Sequence, residues 1–205
     1  MERSQPGSSD DSDRIRWNAR YGDGYVPSFA PHPLALSALA LDLPAGPVLD
    51  LACGPSGSAL AAAGAGRQVT AVDVADVALD LLAAEASRRG LAGLISLVQA
   101  DLATWRPDPA RYALVLCTGY WDRALFAAAA QATNRGGALA WEAFTAAARL
   151  DRPQLPAEWC LRPGEPATLL SADFDVLINQ PTDRERGRKQ QLLARRVAAG
   201  PPSSD

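Results

Sequence analysis

The chain alternates between strand-like and helix-like patterns of hydrophobic residues. Short, almost continuous apolar runs are typical of strands buried on both faces, and apolar positions three or four apart are typical of helices. The strand-like runs cover residues 47–52, 68–73, 94–99, 112–117 and 138–144. The predicted helices cover residues 33–42, 58–63, 77–89 and 121–133, with Asp76 as the expected N-cap of the third. Alternating strand and helix units indicate a parallel sheet covered by helices on both faces.

The C-terminal part departs from this alternation. An irregular, proline-punctuated stretch at 145–162 and a short predicted helix at 165–171 precede two strand-like runs, at 174–179 and 190–197, joined only by a charged turn. Two consecutive strands predict an antiparallel hairpin at one edge of the sheet. We therefore expect a Rossmann-like, doubly wound α/β sheet of seven strands, mostly parallel, with a C-terminal antiparallel hairpin.

Both ends of the chain are polar. We expect residues 1–13 and 198–205 to be disordered tails, because they contain too few apolar residues to pack. Residues 14–197 then form one domain, which suits a chain of 205 residues.

Composition excludes several classes of protein. A net charge of -3 argues against nucleic acid as an obligate partner, which would require a basic face. The chain has no basic start followed by an apolar core and no apolar run of membrane-spanning length, so we expect neither a signal peptide nor a membrane partner. The widely spaced Cys53, Cys117 and Cys160 form no metal or disulfide pattern, which favours a cytoplasmic protein without a metal.

The most informative segment is the end of the first predicted strand and the turn after it. Residues 48–57 read Val-Leu-Asp-Leu-Ala-Cys-Gly-Pro-Ser-Gly, which places Asp50 four residues before Gly54. A carboxylate here would repel a dinucleotide's pyrophosphate by ~1 kcal/mol in water and by more at lower dielectric. The glycine spacing of dinucleotide sites is also missing. The turn therefore favours a cofactor with a cationic tail, although Asp50 capping local backbone amides remains an alternative.

Further polar residues follow the next strands. Asp73 ends the second predicted strand, where an acid is placed to accept two ribose hydroxyls, although a surface acid is the alternative. Asp101 follows the third strand, and a capping role is equally open. After the fourth strand, Tyr120 and Trp121 can offer cation–π contact to a cationic group of a cofactor, or can pack the next helix.

Together these segments resemble the nucleoside-binding half of class I S-adenosylmethionine (SAM) dependent methyltransferases. The family pattern acid-x-Gly-x-Gly-x-Gly has Ala52, Gly54 and Ser56 in its glycine positions. Ser56 departs from the pattern, and we expect its Cβ to narrow the approach of the methionine tail.

The resemblance implies a set of cofactor contacts. It places Asp73 at the ribose hydroxyls, Asp101 at the adenine amino group, and Val74 and Leu102 against adenine. The cofactor-binding residues that it implies are Arg20, Tyr21, Asp50, Ala52, Gly54, Asp73, Val74, Asp101, Leu102 and Cys117.

The N-terminal segment Arg16-Trp-Asn-Ala-Arg-Tyr21 narrows the resemblance to one branch of these methyltransferases. It is similar to the Trp-x-x-Arg-Tyr lid of small methyltransferases related to tellurite-resistance and thiopurine methyltransferases. The resemblance implies that Arg20 meets the SAM carboxylate and that Tyr21 closes over the cofactor. The alternative is an amphipathic helix in which Trp17 packs on the sheet.

We therefore predict an enzyme, a SAM-dependent methyltransferase that acts on a small-molecule acceptor. Tyr120, Trp121 and Glu142 are the candidate acceptor-binding residues, and Glu142 or Asp122 would be the general base for an oxygen or nitrogen nucleophile. A soft nucleophile needs no base, and we assign the single histidine, His32, to a helix entrance. The alternatives are a non-catalytic SAM- or S-adenosylhomocysteine-binding module acting as a regulatory or partner subunit, and a dinucleotide oxidoreductase. Neither the acceptor, a catalytic residue nor the oligomeric state is assigned.

Overall fold

A computed structural model describes residues 8–182 and 187–198, and within them seven strands form one sheet. The strands are Val48–Leu51 (β1), Val69–Asp73 (β2), Ile95–Gln99 (β3), Tyr112–Thr118 (β4), Thr133–Phe144 (β5), Phe174–Pro181 (β6) and Lys189–Arg196 (β7). The helices are Ser8–Tyr21 (α1), Pro33–Leu39 (α2), Gly57–Gly64 (α3), Asp76–Arg88 (α4) and Arg123–Ala132 (α5).

The order of the strands places the site. It is β3-β2-β1-β4-β5-β7-β6, with the first five parallel to one another and β7 antiparallel to both β5 and β6. The predicted Rossmann-like sheet with its antiparallel hairpin is thereby confirmed. The chain builds β1, β2 and β3 outward and then returns to place β4 beside β1. Sheets of this kind bind ligands at such a reversal, beyond the carboxyl ends of the strands.

Two apolar cores lie on opposite faces of the sheet. On one face, Leu49 and Leu51 pack with Phe126 and Trp141 beneath α5. On the other face, Val48 packs with the apolar residues of α2, α3 and α4. Successive strand residues point to opposite faces, so an apolar run of β1 supplies both cores.

The structure corrects the predicted N-terminal boundary. Helix α1 begins at Ser8, so residues 8–13 are helical and not part of a disordered tail. The helix has Arg20 in its last turn, where a cation is favourable beside the negative end of the helix dipole. Residues 1–7 lie outside the described residues, as does the predicted C-terminal tail apart from residue 198.

Other element boundaries also shift. Helix α5 begins at Arg123 and not at residue 121, because Asp122 caps it by accepting a hydrogen bond from the Leu125 N–H at 2.6 Å. The helix predicted at 165–171 shortens to one 3₁₀ turn, Ala167–Leu169. Asp76 is the first residue of α4 and not its N-cap. Of the charged turn between β6 and β7, residues 183–186 lie outside the described residues.

Glycine is required at the start of α3. The backbone of residues 29–30 crosses directly over Gly57, and a Cβ there would lie 2.4 Å from the Ala30 carbonyl and from the Phe29 oxygen. Gly64, the last residue of the same helix, has nothing within 4 Å of an added Cβ. A side chain is therefore excluded at Gly57 but has room at Gly64.

We predict that Gly57→Ala lowers the free energy of unfolding by ~1–3 kcal/mol, because a backbone segment must move to accept the methyl group. Gly64→Ala is the matched control, and it should be neutral or stabilising by up to ~1 kcal/mol through helix propensity. Urea unfolding of both variants tests this, and equal midpoints would contradict it.

Candidate functional site

Two adjoining cavities lie beyond the carboxyl ends of the strands. The first, here called the acidic cavity, has a volume of about 360 Å³ and carries Asp13, Asp73 and Asp101 on its wall. The second, here called the aromatic cavity, has a volume of about 420 Å³. They share a wall of six residues: Trp17, Arg20, Gly119, Tyr120, Phe144 and Arg152. A ligand in one cavity would thus lie next to a ligand in the other.

Most of the predicted cofactor-binding residues meet in the acidic cavity. Seven of the ten line it: Arg20, Tyr21, Ala52, Asp73, Val74, Asp101 and Leu102. They come from α1 and from the ends of β1, β2 and β3, so the sheet topology brings together residues up to 82 positions apart. Tyr120 lines both cavities and Trp121 lines the aromatic one.

Three predicted cofactor residues lie off this wall. Asp50 is 3% exposed beneath the turn. Gly54 contributes its backbone N–H to Asp73. Cys117 is buried in β4, where its Sγ donates to the Tyr120 carbonyl at 3.6 Å, and burial raises the pKa of its thiol. Its side chain faces the core beneath α5 because of the strand's alternation.

Asp73 is the central polar residue of the acidic cavity. Its Oδ2 accepts a hydrogen bond from the Gly54 N–H and its Oδ1 accepts one from the Ala75 N–H, both at 2.8 Å. Burial raises the pKa of this carboxyl, and these backbone hydrogen bonds oppose the rise. Each carboxylate oxygen has a second lone pair, so Asp73 can still accept two hydroxyl groups.

Asp101 also combines a local role with a place on the cavity wall. Its Oδ1 accepts a hydrogen bond from the Ala103 N–H at 2.8 Å, which fixes the turn after β3. The predicted capping alternative is therefore present as a turn, while the residue still lines the acidic cavity.

Ser56 has a structural role that the sequence analysis did not predict. Its Oγ caps α3 by accepting from the Ala59 N–H at 2.9 Å, and it donates to Asp50 Oδ2 at 2.5 Å. Ser56 does not line the acidic cavity, and the expected narrowing by its Cβ stays a prediction. Serine is a preferred N-cap residue, and Ser56 lies just before the helix predicted at 58–63, so this role could have been expected from the sequence. Ala52, in the first glycine position, has φ +49°, a conformation that favours glycine.

The C-terminal part of α1 covers the turn after β1. Tyr21 stacks on Trp17 with ring centroids 6.0 Å apart and meets the edge of Tyr25 at 5.2 Å. A Cβ added to Gly54 would lie 2.9 Å from the Tyr21 hydroxyl. Burial raises the pKa of Tyr21, which keeps its hydroxyl protonated. Tyr21 therefore lies over Gly54, and its closing over the cofactor stays a prediction.

Asn18, which sequence reasoning missed, fastens α1 to α4. Its Nδ2 donates to Asp76 Oδ1 at 2.6 Å, and its Oδ1 accepts from the Val77 N–H at 3.3 Å. Ala75, at the N-cap position of α4, has no capping side chain. Asn18 thus satisfies an exposed N–H of α4 from a different helix, which explains why Asp76 is not needed as the cap.

Glu142 belongs to a buried polar network and not to either cavity. It is 1% exposed. It accepts hydrogen bonds from Thr182, Lys189 Nζ and Gln191 at 3.1, 2.6 and 2.9 Å, and it lies 3.3 Å from His32 Nε2. Burial alone raises the pKa of Glu142, but the bonds from His32, Lys189 and Gln191 hold it well below its usual range. The predicted acceptor contact by Glu142 is therefore corrected to a structural role.

The structure shows the roles of His32 and Trp121, for which the sequence analysis gave an expected helix entrance and two alternatives. His32 caps α2, with Nδ1 accepting from the Leu34 N–H at 3.2 Å, as expected for a helix entrance. Trp121 packs against Phe126 and Trp141 at centroid distances of 5.5 and 6.1 Å, and it is only 4% exposed. It therefore combines the packing role with a place on the aromatic cavity wall.

A family comparison covers the part of the chain that builds the acidic cavity. Residues 48–137 match the family model described as "Methyltransferase domain". This segment contains β1 to β4 and most of the turns that carry the predicted nucleoside contacts. No curated protein sequence matches the chain.

Solved structures share the whole fold. Geranyl diphosphate C-methyltransferase from Streptomyces coelicolor A3(2), in complex with S-adenosylhomocysteine, is 13% identical with a TM-score of 0.66 and covers 95% of this chain and 100% of its own. Magnesium protoporphyrin IX methyltransferase from Synechocystis PCC 6803, with S-adenosylhomocysteine bound, is 17% identical with a TM-score of 0.64 and covers 92% and 95%. The [4+2]-cyclase SpnF is 15% identical with a TM-score of 0.61 and covers 81% and 80%.

The chain thus has a Rossmann-like fold that it shares with S-adenosylhomocysteine-bound methyltransferases, and its segment 48–137 matches a methyltransferase domain. Across residues 8–182 and 187–198, no helix is long and apolar enough to cross a membrane, and no group of three or more His, Cys, Asp or Glu side chains could hold a metal ion.

We predict that Asn18→Ala loosens α1 and weakens SAM binding several-fold, because two hydrogen bonds of roughly 0.5–1.5 kcal/mol each are lost. Trypsin should also cut at the arginines of α1 more quickly. Calorimetry with SAM and timed proteolysis measure these effects. Gln190→Ala is the control, since the side chain of Gln190 donates its hydrogen bond to Asn179 on the neighbouring strand β6. Unchanged affinity and unchanged cleavage in Asn18→Ala would contradict the fastening role.

We predict that Asp50→Asn removes a pH dependence of stability. Burial raises the pKa of Asp50 to about 7, with the Ser56 hydrogen bond opposing the rise. Since the unfolded carboxyl titrates near pH ~4, the folded protein alone holds this proton between about pH 4 and 7. Wild-type stability therefore falls as pH rises through that window, and the loss is complete above it.

The variant should gain roughly 2–3 kcal/mol over wild type between pH 5 and pH 8. Urea unfolding at the two pH values gives the difference, with Asp80→Asn on the exposed side of α4 as control. A constant difference between Asp50→Asn and wild type would argue against a protonated Asp50.

Proposed function

We propose that the protein methylates a small molecule bound in the aromatic cavity, with SAM bound in the acidic cavity. The observation that carries this proposal is the meeting of seven predicted cofactor residues in one cavity that opens onto a second. The two cavities suit a donor and an acceptor that must approach each other.

The residues of the acidic cavity fit the nucleoside half of SAM. In this proposal Asp73 accepts the ribose hydroxyls with its remaining lone pairs. Asp101 accepts from the adenine amino group, and Val74 and Leu102 lie against the ring. Leu102 is 5% exposed, which makes it a fixed part of the wall.

The charges of the acidic cavity also fit the methionine half. SAM has an ammonium and a sulfonium but no phosphate, and the cavity carries three carboxylates, those of Asp13, Asp73 and Asp101. Arg20 is the proposed partner of the SAM carboxylate. Tyr21, over Gly54, is the proposed cover of the cofactor.

Bound SAM supplies an already activated methyl group. The chain's own contribution in this proposal is to align the acceptor and to exclude water. Both candidate bases are engaged elsewhere: Asp122 caps α5, and Glu142 is held in the buried network. This favours an acceptor atom that needs no base, such as a thiolate or a chalcogen oxyanion.

Two finer assignments are also proposals. The Trp17 to Tyr21 segment, placed over the turn after β1, supports the tellurite-resistance and thiopurine methyltransferase-like branch. The unpaired Cys53, Cys117 and Cys160 support a cytoplasmic protein. The non-catalytic alternative depended on Ser56, and it loses that support because Ser56 caps α3.

Calorimetry with SAM and NAD, together with an S-adenosylhomocysteine-release screen across thiols, chalcogen oxyanions, phenols and amines, tests the proposal. We expect SAM binding, no NAD binding and turnover with at least one acceptor. In Asp73→Asn, SAM affinity should fall on the order of tenfold, because one acceptor oxygen becomes a donor. Asp175→Asn, on the exposed face of β6, is the control. NAD binding without SAM binding would overturn the proposal, and full SAM affinity in Asp73→Asn would remove the ribose assignment.

A further inference from the structure

The two cavities differ in the charges on their walls: Arg20 and Arg152 line both, and the described carboxylates line the acidic cavity alone. Arg16, Arg20 and Arg152 line the aromatic cavity, and within the described part of the chain no Asp or Glu lines it. The carboxylates lie on the wall of the acidic cavity instead. A ligand in the aromatic cavity therefore meets a positive potential without a counter-charge from the wall.

The three arginines are not equally available to a ligand. The guanidinium of Arg16 lies between two indole rings, 5.2 Å from Trp17 and 4.7 Å from Trp159, and Asp13 is 3.5 Å away. Arg152 lies 5.0 Å from the centroid of the Phe144 ring, and it contacts no carboxylate among the described residues. Arg152 thus presents an uncompensated charge.

Arg20 resembles Arg152 in lacking a carboxylate partner in the described ranges, and it lies 5.6 Å from the Tyr25 ring. Because Arg20 is the proposed partner of the SAM carboxylate, it is committed to the donor. Arg152 stands on the wall that both cavities share. It is therefore the remaining cation for a group on the acceptor.

Aromatic side chains form much of the rest of the wall of the aromatic cavity. Trp17, Tyr120, Trp121, Phe144 and Trp159 all contribute rings to it. Burial raises the pKa of Tyr120 to about 12, so this ring adds no negative charge near neutral pH. A volume of about 420 Å³ lies in the range of small-molecule sites. Aromatic walls bind flat rings by offset or edge contacts.

We propose that the acceptor is a planar aromatic carboxylate whose acid group pairs with Arg152 and whose ring packs among the aromatic side chains. This inference rests on the proposed function, since it assigns the aromatic cavity to the acceptor. The guanidinium is suited to the pairing, because its planar fork matches a carboxylate with two parallel hydrogen bonds.

Equilibrium binding to the full chain saturated with S-adenosylhomocysteine tests the charge and the ring separately. The probes are 2-naphthoate, its uncharged isostere 2-naphthamide, the non-aromatic anion hexanoate and the inorganic anion selenite. Calorimetry should show 2-naphthoate binding about fivefold or more tightly than 2-naphthamide, and more tightly than hexanoate or selenite.

Variants then locate the charge. In Arg152→Gln the preference for 2-naphthoate over 2-naphthamide should disappear, and Arg152→Lys should restore part of it. Arg135→Gln, an exposed arginine at the start of β5, is the charge-matched control and should keep the preference. SAM affinity should be unchanged in Arg135→Gln.

The outcomes separate this inference from the proposed function. If wild type does not bind S-adenosylhomocysteine or SAM, the proposed function fails and the acceptor assignment fails with it. If the cofactor binds but 2-naphthamide, hexanoate or selenite binds as tightly as 2-naphthoate, only the aromatic acid is overturned. A preference that survives in Arg152→Gln overturns the role of Arg152.

Discussion

The site depends on one buried carboxylate, that of Asp73. It accepts backbone hydrogen bonds from Gly54 and from Ala75, and so it joins the turn after β1 to the turn after β2. The turn after β1 borders the reversal of strand order, where the connections after β1 and β4 diverge and leave a crevice. Without the carboxylate, two backbone N–H groups at this point would lose their partners inside a closed site. The residue proposed to hold the ribose is thus also the residue that joins these two turns.

The second dependence is the docking of α1. The helix carries Trp17, Arg20 and Tyr21, and each lines at least one of the two cavities. It is held by Asn18 at the N-terminus of α4, and α4 follows directly after Asp73. The cover of the site is therefore attached to the same β2–α4 connection that forms its floor.

Much of the fold could be predicted from sequence, since buried parallel strands appear as continuous apolar runs bounded by turn residues. The structural roles of Ser56 and Glu142 follow from local sequence patterns that the predictions did not use. Ser56 stands where a helix cap is common, and Glu142 alternates with Trp141 along β5, so the two side chains must face opposite sides of the sheet. Other contacts were not predictable in this way. Asn18 caps a helix 58 residues further along, and Arg152 lies in an irregular segment where neither period nor turn type fixes the direction of a side chain.

The acidic cavity was more predictable from sequence than the aromatic cavity, because the two cavities are built from different parts of the chain. The matched family segment, residues 48–137, contains Asp73, Asp101 and the turns of the acidic cavity. Most walls of the aromatic cavity, including Trp17, Arg152 and Trp159, lie outside it. Structures of this fold that are 13–17% identical to the chain include methyltransferases and a [4+2]-cyclase, so the fold alone cannot specify what lies beside the cofactor. The acceptor must therefore be inferred from the flanking segments themselves, whose arginines and aromatic rings are the part of this chain that the general family pattern does not dictate.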